Sequence, residues 1–406
     1  MREIILISFL GPDQPNQFTR LMQVLSVHSL QILDVGQAVI HNQLTLGIVV
    51  SSHDKTATAL AMKDILILAH DIGLTVRFKP ISHADYEQWV SEGGRTRYIV
   101  TALAPELTAA HLQAVTNIVS SQGFNIETVT RLSDRPELSN QQSGPKRSCV
   151  QFGLRGQMLD AHAMREACLR LSAESSIDVA VQEDNAYRRN RRLVCFDMDS
   201  TLIEQEVIDE LALEAGVGAQ VAEITERAML GELDFQQSFK ARMALLKGLD
   251  ASVLPKIAER LTLTEGAERL ISTLKSLGYK TAILSGGFQY FAEYLQSKLG
   301  IDEVHANILD VENGMVTGEV KGAIVDGARK AELLRGLAEK MGISLEQTIA
   351  VGDGANDLPM LSIAGLGVAF RAKPLVRQNA NQAISSVGLD GVLYLIGVHD
   401  KDLNRA

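Results

Sequence analysis

The sequence predicts an α/β protein in three parts: a Rossmann-like parallel-sheet domain with a small helical cap, preceded by two smaller α+β units of βαββαβ order. Three observations lead there. From residue 193 onward, short apolar strands alternate with helical patterns, and each strand runs straight into polar or glycine residues. That is the pattern of a parallel sheet covered by helices on both faces. Ahead of that point the chain repeats itself. Met22-Gln23-Val24-Leu25-Ser26 and His28-Ser29-Leu30-Gln31-Ile32 return as Thr116-Asn117-Ile118-Val119-Ser120 and Gln122-Gly123-Phe124-Asn125-Ile126, at a constant offset of 94. Finally, 406 residues are too many for one core of ordinary size. The implied boundaries are 1–85 and 95–185 for the repeats and 190–398 for the sheet domain, with the cap at about 207–262.

In the first repeat, residues 4–10 form a strand. Residues 15–28 form a helix with Phe18, Leu21, Met22 and Leu25 on one face. Residues 31–40 and 43–51 make a hairpin about His41-Asn42, followed by a helix near 55–72 and a strand near 75–81. Ser91-Glu92-Gly93-Gly94 reads as a connector to the second repeat, which spans about 97–183 and contains a polar loop at 140–145. Arg188, Arg189, Arg191 and Arg192 mark the next junction and read as a solvated boundary. Strands of the parallel sheet are expected at 193–196, 280–284, 348–351 and 366–370. Residues 207–262 look helical throughout and interrupt the alternation, so they form the cap, while 401–406 read as a polar tail.

Composition narrows the function. A net charge of −10 argues against nucleic acid as the main partner, since phosphate backbones are held by basic surfaces. No stretch approaches the ~20 apolar residues of a membrane span. The opening run at 4–10 is cut short by Gly11-Pro12-Asp13, which reads as a first strand and not as a signal peptide. Cys149, Cys168 and Cys195 are widely spaced, neither a disulfide framework nor a zinc site. A cytoplasmic protein is expected.

Ligands of an open parallel sheet bind beyond the carboxyl ends of its strands. Asp197-Met198-Asp199-Ser200-Thr201, Ser285-Gly286-Gly287 and Gly352-Asp353-Gly354-Ala355-Asn356-Asp357 all stand at such ends, with Lys330 in a helix-opening stretch between them. Each alone reads as a cap, a turn or a surface lysine. Their order and strand placement make the combination specific.

On these four motifs, residues 193–398 resemble the haloacid dehalogenase-like phosphatases. The resemblance implies Asp197 as a covalent nucleophile and Asp199 as the acid that protonates the leaving alkoxide and later deprotonates water. It implies Mg²⁺ held by the side chains of Asp197 and Asp353 and the backbone carbonyl of Asp199. Asp357 and Asn356 would order its surroundings. Ser285, the Gly286 N–H and Lys330 would hold the phosphoryl group. Within the family, the segment around Glu206, the helix around Arg242, and Met229 and Phe235 match the branch acting on phosphoserine in the last step of serine biosynthesis. There Glu206 would take the substrate ammonium, Arg242 its carboxylate, and Met229 and Phe235 the apolar wall. The alternatives are another small phosphomonoester, a phosphotransferase, or an amino-acid sensor.

The tandem repeats resemble ACT domains, modules that bind amino acids at shared interfaces. Gly11-Pro12-Asp13-Gln14-Pro15 stands at the strand-to-helix turn where that family places its ligand loop, so the resemblance implies an effector (serine, the product) near Gly11 and Asp13. Asn16 departs from the family's glycine, and the second repeat has Ala104-Pro105-Glu106-Leu107-Thr108 there instead. Pairing by sheet edges implies a homodimer.

Overall fold

The computed structural model describes residues 2–94, 96–136, 146–229 and 232–403. They fall into two compact units, Met1–Arg95 and Thr96–Ala406. The loop read at 140–145 lies outside the described residues.

The first unit is a four-stranded antiparallel sheet of β1 (Glu3–Pro12), β2 (Gln31–Ile40), β3 (Gln43–Ser52) and β4 (Thr75–Ile81), in the order β2-β3-β1-β4. Ile5, Ile7 and Phe9 alternate inward along β1 and meet Leu21 and Leu25 of the helix Gln17–Val27 and Ile65 and Ala69 of the helix Lys55–Asp71. The first helix begins at 17, two residues later than the sequence suggests, because Asn16 turns left-handed at φ 67°. A further helix, His83–Glu92, occupies what reads as a boundary and connector. None of its residues is buried, and its short apolar stripe of Tyr86, Trp89 and Val90 stays at the surface.

The second unit opens with the same topology. Its strands β5 (Arg97–Ala104), β6 (Asn125–Arg131), β7 (Ser148–Arg155) and β8 (Asp178–Glu183) take the order β6-β7-β5-β8. In this sheet β5, β7 and β8 are largely buried, while the edge strand β6 is exposed. Val100, Ala102 and Phe152 face its own helices, whereas Leu103, Cys149 and Ala180 join the core of the domain that follows.

That domain is a seven-stranded sheet: β9 (Leu193–Phe196), β10 (Lys280–Phe288), β11 (Glu303–Glu312), β12 (Met315–Lys321), β13 (Thr348–Gly352), β14 (Leu366–Phe370) and β15 (Gln382–Ile384). Their order is β12-β11-β10-β9-β13-β14-β15, parallel apart from β12. The four strands expected from sequence are its buried centre. The β11–β12 hairpin and the three-residue β15 lack continuous apolar runs and were not legible. Helices Val207–Glu214, Gly218–Met229, Phe235–Leu245 and Leu254–Arg260 fill the interruption between β9 and β10. The two linkers to this cap zip together through an Ile203–Leu263 bridge and through Gln205, whose amide donates to Thr262 Oγ1 at 3.1 Å and accepts from the Thr262 N–H at 3.0 Å.

The arginine junction corrects the solvated reading. Arg189 and Arg192 are exposed, but Arg188 and Arg191 are buried beneath the β14–β15 side of the sheet. Of the polar tail read at 401–406, residues 401–403 close a short helix, Asp400–Leu403, with Lys401 and Asp402 exposed, and 404–406 lie outside the described residues; Asp400, just ahead of the tail, is buried.

Candidate active site

Parallel pairing sets Phe196, the last residue of β9, level with Ile283 of β10 and Val351 of β13. Asp197 is the first residue past β9, and its N–H donates to the Val351 carbonyl at 2.9 Å. Lys330 lies in the first turn of the helix Gly327–Lys340, which Asp326 caps by accepting from the Arg329 N–H at 2.9 Å. Fully buried, the Lys330 ammonium lies 2.9 Å from Asp197 Oδ1 and 2.6 Å from Asp357 Oδ1. Asp357 Oδ2 accepts from the Gly354 N–H at 2.9 Å. A Cβ at Gly352 would collide with the Asp357 carboxyl, so glycine there makes the approach feasible.

Carboxylate oxygens of Asp197, Asp353 and Asp357 lie within 4.8 Å of one another. An all-oxygen acidic cluster suits a hard divalent cation of the Mg²⁺ kind, and no His or Cys belongs to it to favour zinc. Its electrostatics call for positive charge. Burial, then Asp357, push the Asp197 carboxyl well up against the opposing pull of Lys330. Burial, Asp357 and Glu206 push Asp353 up to about 7, while Thr201 donates to its Oδ1 at 3.1 Å.

Asp199 stands apart from that cluster. Its Oδ1 accepts from the Val207 N–H at 3.3 Å, and its carboxyl is pushed well above the carboxylate range by burial, then by Glu206 and Asp197. Such a group holds its proton and can donate it. Ser200, left-handed at φ 54°, turns the chain so that its hydroxyl donates to Glu206 Oε1 at 2.8 Å.

A cleft of about 790 Å³ lies between sheet and cap, lined by Asp197, Asp199, Asp353, Gly286 and Asn356 below and by Glu206, Phe235 and Arg242 above. Glu206 is open to the water of the cleft, yet burial against the surrounding protein still raises its carboxyl. Arg242 Nε is buried with no hydrogen-bond partner among the described residues. Phe235 begins a helix capped reciprocally by Asp234 and Gln237, and its ring stacks 6.1 Å from Phe239. Ser285 is fully buried, its Oγ accepting from the Gly287 N–H at 2.9 Å; with Lys330 and Asp357 it lies beneath the cleft floor. The side chain of Met229 lies outside the described residues. In the first unit, Gly11 passes so close to the Gly73 carbonyl that a Cβ would lie 2.7 Å from it, and the Asp13 N–H donates to Asn42 O. The left-handed backbone at Asn16 is the conformation glycine favours, and asparagine tolerates it better than most residues.

Two contributors carry no sequence signal. Asn307 donates to Gly286 O at 2.8 Å and accepts from the Val325 N–H at 2.9 Å, which fixes the Ser-Gly-Gly turn. Gln236 of the cap donates to Asp326 Oδ2 at 2.7 Å and so ties the cap to the helix carrying Lys330.

Residues 191–365 match the haloacid dehalogenase-like hydrolase family, and residues 3–79 match the ACT domain. The phosphoserine phosphatase of Mycobacterium tuberculosis is 40% identical over 403 residues, covering 99% of this chain and 95% of the relative. The chain belongs to the haloacid dehalogenase-like hydrolases. Within the family, the phosphoserine phosphatase of Streptomyces coelicolor is 38% identical over 405 residues, 99% of this chain and 94% of that one. Two solved structures of similar fold are a hydrolase of the family from Salmonella enterica serovar Typhi and a probable phosphoserine phosphatase from Vibrio cholerae. The first has a TM-score of 0.62 at 30% identity, covering 74% of this chain and 99% of that one. The second has 0.58 at 32%, covering 78% and 90%.

Proposed function

We propose that this hydrolase is a phosphoserine phosphatase, cleaving L-phosphoserine to L-serine and phosphate in the last step of serine biosynthesis. The observation that carries the substrate is the pairing of an acid and a base above one phosphate-sized floor. Glu206 and Arg242 face the same cleft as Asp197 and Asp199, and the Arg242 Nε is left without a partner. Phosphoserine presents an ammonium and a carboxylate besides its phosphate, and a site with both counter-charges rejects esters lacking either. Phe235 would form the apolar wall, with Met229 assigned beside it from the sequence.

An Asp197 carboxylate oxygen attacks phosphorus, and the seryl oxygen leaves with the proton of Asp199. Asp199, now ionised, takes a proton from water as that water attacks the aspartyl phosphate, releasing phosphate and restoring Asp197. Lys330, Ser285 and the Gly286 N–H position the phosphoryl oxygens, and Asn356 and Asp357 order the cluster's edge. Mg²⁺, held by Asp197, Asp353 and the Asp199 carbonyl, would supply the charge that lets a carboxylate approach a phosphate.

The test is phosphate release with Mg²⁺ from L-phosphoserine and a panel of other phosphomonoesters, beside an Asp197→Asn variant. Strong preference for phosphoserine, abolished in the variant, is expected. Turnover of the whole panel without preference would retain the chemistry and discard the substrate, and phosphate release by the variant would discard the nucleophile.

Serine is the effector we assign to the turn at Gly11 and Asp13. Homodimer formation would use the β2 edge, where Ile32, Val35 and Val39 are exposed. No helix among the described residues is long and apolar enough to cross a membrane, and a cytoplasmic location fits the proposed reaction.

A further inference from the structure

The buried arginines of the junction are only partly used. Arg188 and Arg191 are 5% and 6% exposed. Arg191 Nη2 donates to Gln182 Oε1 at 3.1 Å and to Gly365 O at 3.4 Å, whereas the acid nearest the Arg188 guanidinium, Asp184, stands 3.7 Å away. Nε and Nη2 of Arg188, and Nε and Nη1 of Arg191, are buried with no hydrogen-bond partner among the described residues. A buried donor left unsatisfied is costly, more so when charged, and natural structures hold few. Here four occur on two adjacent cations.

Both side chains line a cavity of about 380 Å³ between the second βαββαβ module and the β14–β15 edge of the phosphatase sheet. Arg165 and Arg377 line it too, against Glu183 and Glu346, so cations outnumber anions there in a chain whose net charge is −10. The two arginines also disfavour each other: burial, then the Arg188 charge, push Arg191 down to about 10. An anion between them would relieve both the repulsion and the unpaired donors. The volume suits a small molecule and not a polymer segment.

We propose that this inter-module cavity binds a small oxyanion, a carboxylate or a phosphate, on the free donors of Arg188 and Arg191. The site is separate from the cleft that holds Asp197, and from the turn at Gly11 and Asp13. It does not depend on the identity of the substrate.

The experiment compares thermal stability and binding titrations of the full chain and a R188M/R191M double variant, with inorganic phosphate and with L-serine, at constant ionic strength. Binding of either probe at the catalytic cleft or in the first unit affects both proteins alike, so the difference between them reads this cavity. The native chain is expected to gain stability with one probe, which identifies the oxyanion. The double variant should lose that increment, its affinity falling about tenfold or more, as the loss of charge-assisted bonds implies. Without ligand it should be no less stable, since apolar side chains replace unpaired buried charge. Equal responses of the two proteins to both probes, or no response in either, would overturn the proposal. Should the double variant fail to fold, Arg191→Lys keeps the charge but loses the fork; unchanged affinity in that variant would overturn it equally.

Discussion

A Cβ at position 287 would lie 2.5 Å from Asp199 Oδ2 and 2.8 Å from Met198 Cε, so the second glycine of Ser285-Gly286-Gly287 makes room for the Asp199 carboxyl, the acid of the proposed mechanism. Gly287→Ala is expected to push the Asp199 carboxyl aside and lower kcat about a hundredfold, the scale of a 1 Å misplacement. The melting temperature should change little, and near-normal turnover would show that Asp199 tolerates the shift. Arg242 offers a complementary test, because the role proposed for it concerns the substrate and not the phosphoryl group. Arg242→Ala should reduce kcat/KM on phosphoserine about tenfold to a hundredfold, the worth of a charge-assisted bond, and leave p-nitrophenyl phosphate nearly unaffected. Equal losses on both would remove Arg242 from substrate recognition. At this scale the residues at strand ends were legible because topology forces them into one crevice. Asn307 was not: a lone asparagine in a strand gains its meaning only from the Gly286 carbonyl and Val325 N–H it meets in the fold.

Among elements, the cap is the one that stands over the cleft. Its linkers are clasped at Gln205 and Thr262, and one polar tie, from Gln236 to Asp326, reaches the helix that carries Lys330. Closing such a cap excludes water from a reactive aspartyl phosphate. Gln236→Ala removes an exposed hydrogen bond worth about 0.5–1.5 kcal/mol. KM for phosphoserine should therefore rise by a factor of about two to ten, with kcat and thermal stability retained. An unchanged KM would mean that the tie does not bias closure. The helical character of the cap was readable from its uninterrupted periodicity. What it leans on was not, because the β11–β12 hairpin that receives Gly248 and Ala251 is mostly half-buried and interleaves its apolar residues with polar ones instead of presenting a continuous apolar run.

Across the second unit, the repeat in the sequence conceals a division of labour. Along β1 the face away from the helices stays partly open at Leu6, Ser8 and Leu10, whereas along β5 the equivalent face is sealed at Thr101 and Leu103. The repeat alone could show two like modules but not that one is built into the phosphatase domain, since that depends on the partner surface. Polar contacts fix this junction. Asp178 Oδ2 accepts from the N–H groups of Ser385 and Ser386, Gln382 pairs with the backbone of Val181, and Arg147 reaches Asp390 at 2.7 Å.

Asp400 is the titrating member of that junction that acid should undo. It accepts from the Asp134 N–H at 2.9 Å, from Arg269 at 2.6 Å and from the Tyr394 hydroxyl at 2.9 Å. Burial alone would raise its carboxyl, but these donors outweigh burial and hold it below the ordinary range. With the folded value below the unfolded one, the native state binds fewer protons than the unfolded chain as pH drops. This contribution is therefore complete above about pH 4 and is lost as pH falls through the folded value. Asp178 runs the other way, since burial lifts its carboxyl above the ordinary value, so acid does not weaken the junction through that group. Asp400→Asn should accordingly lower stability to denaturant at pH 7, and its deficit against the native chain should narrow as pH falls below about 4. A deficit that stays constant from neutral pH into acid would mean that Asp400 acts through shape and hydrogen bonding alone, and that its charge does not hold the module to the phosphatase domain.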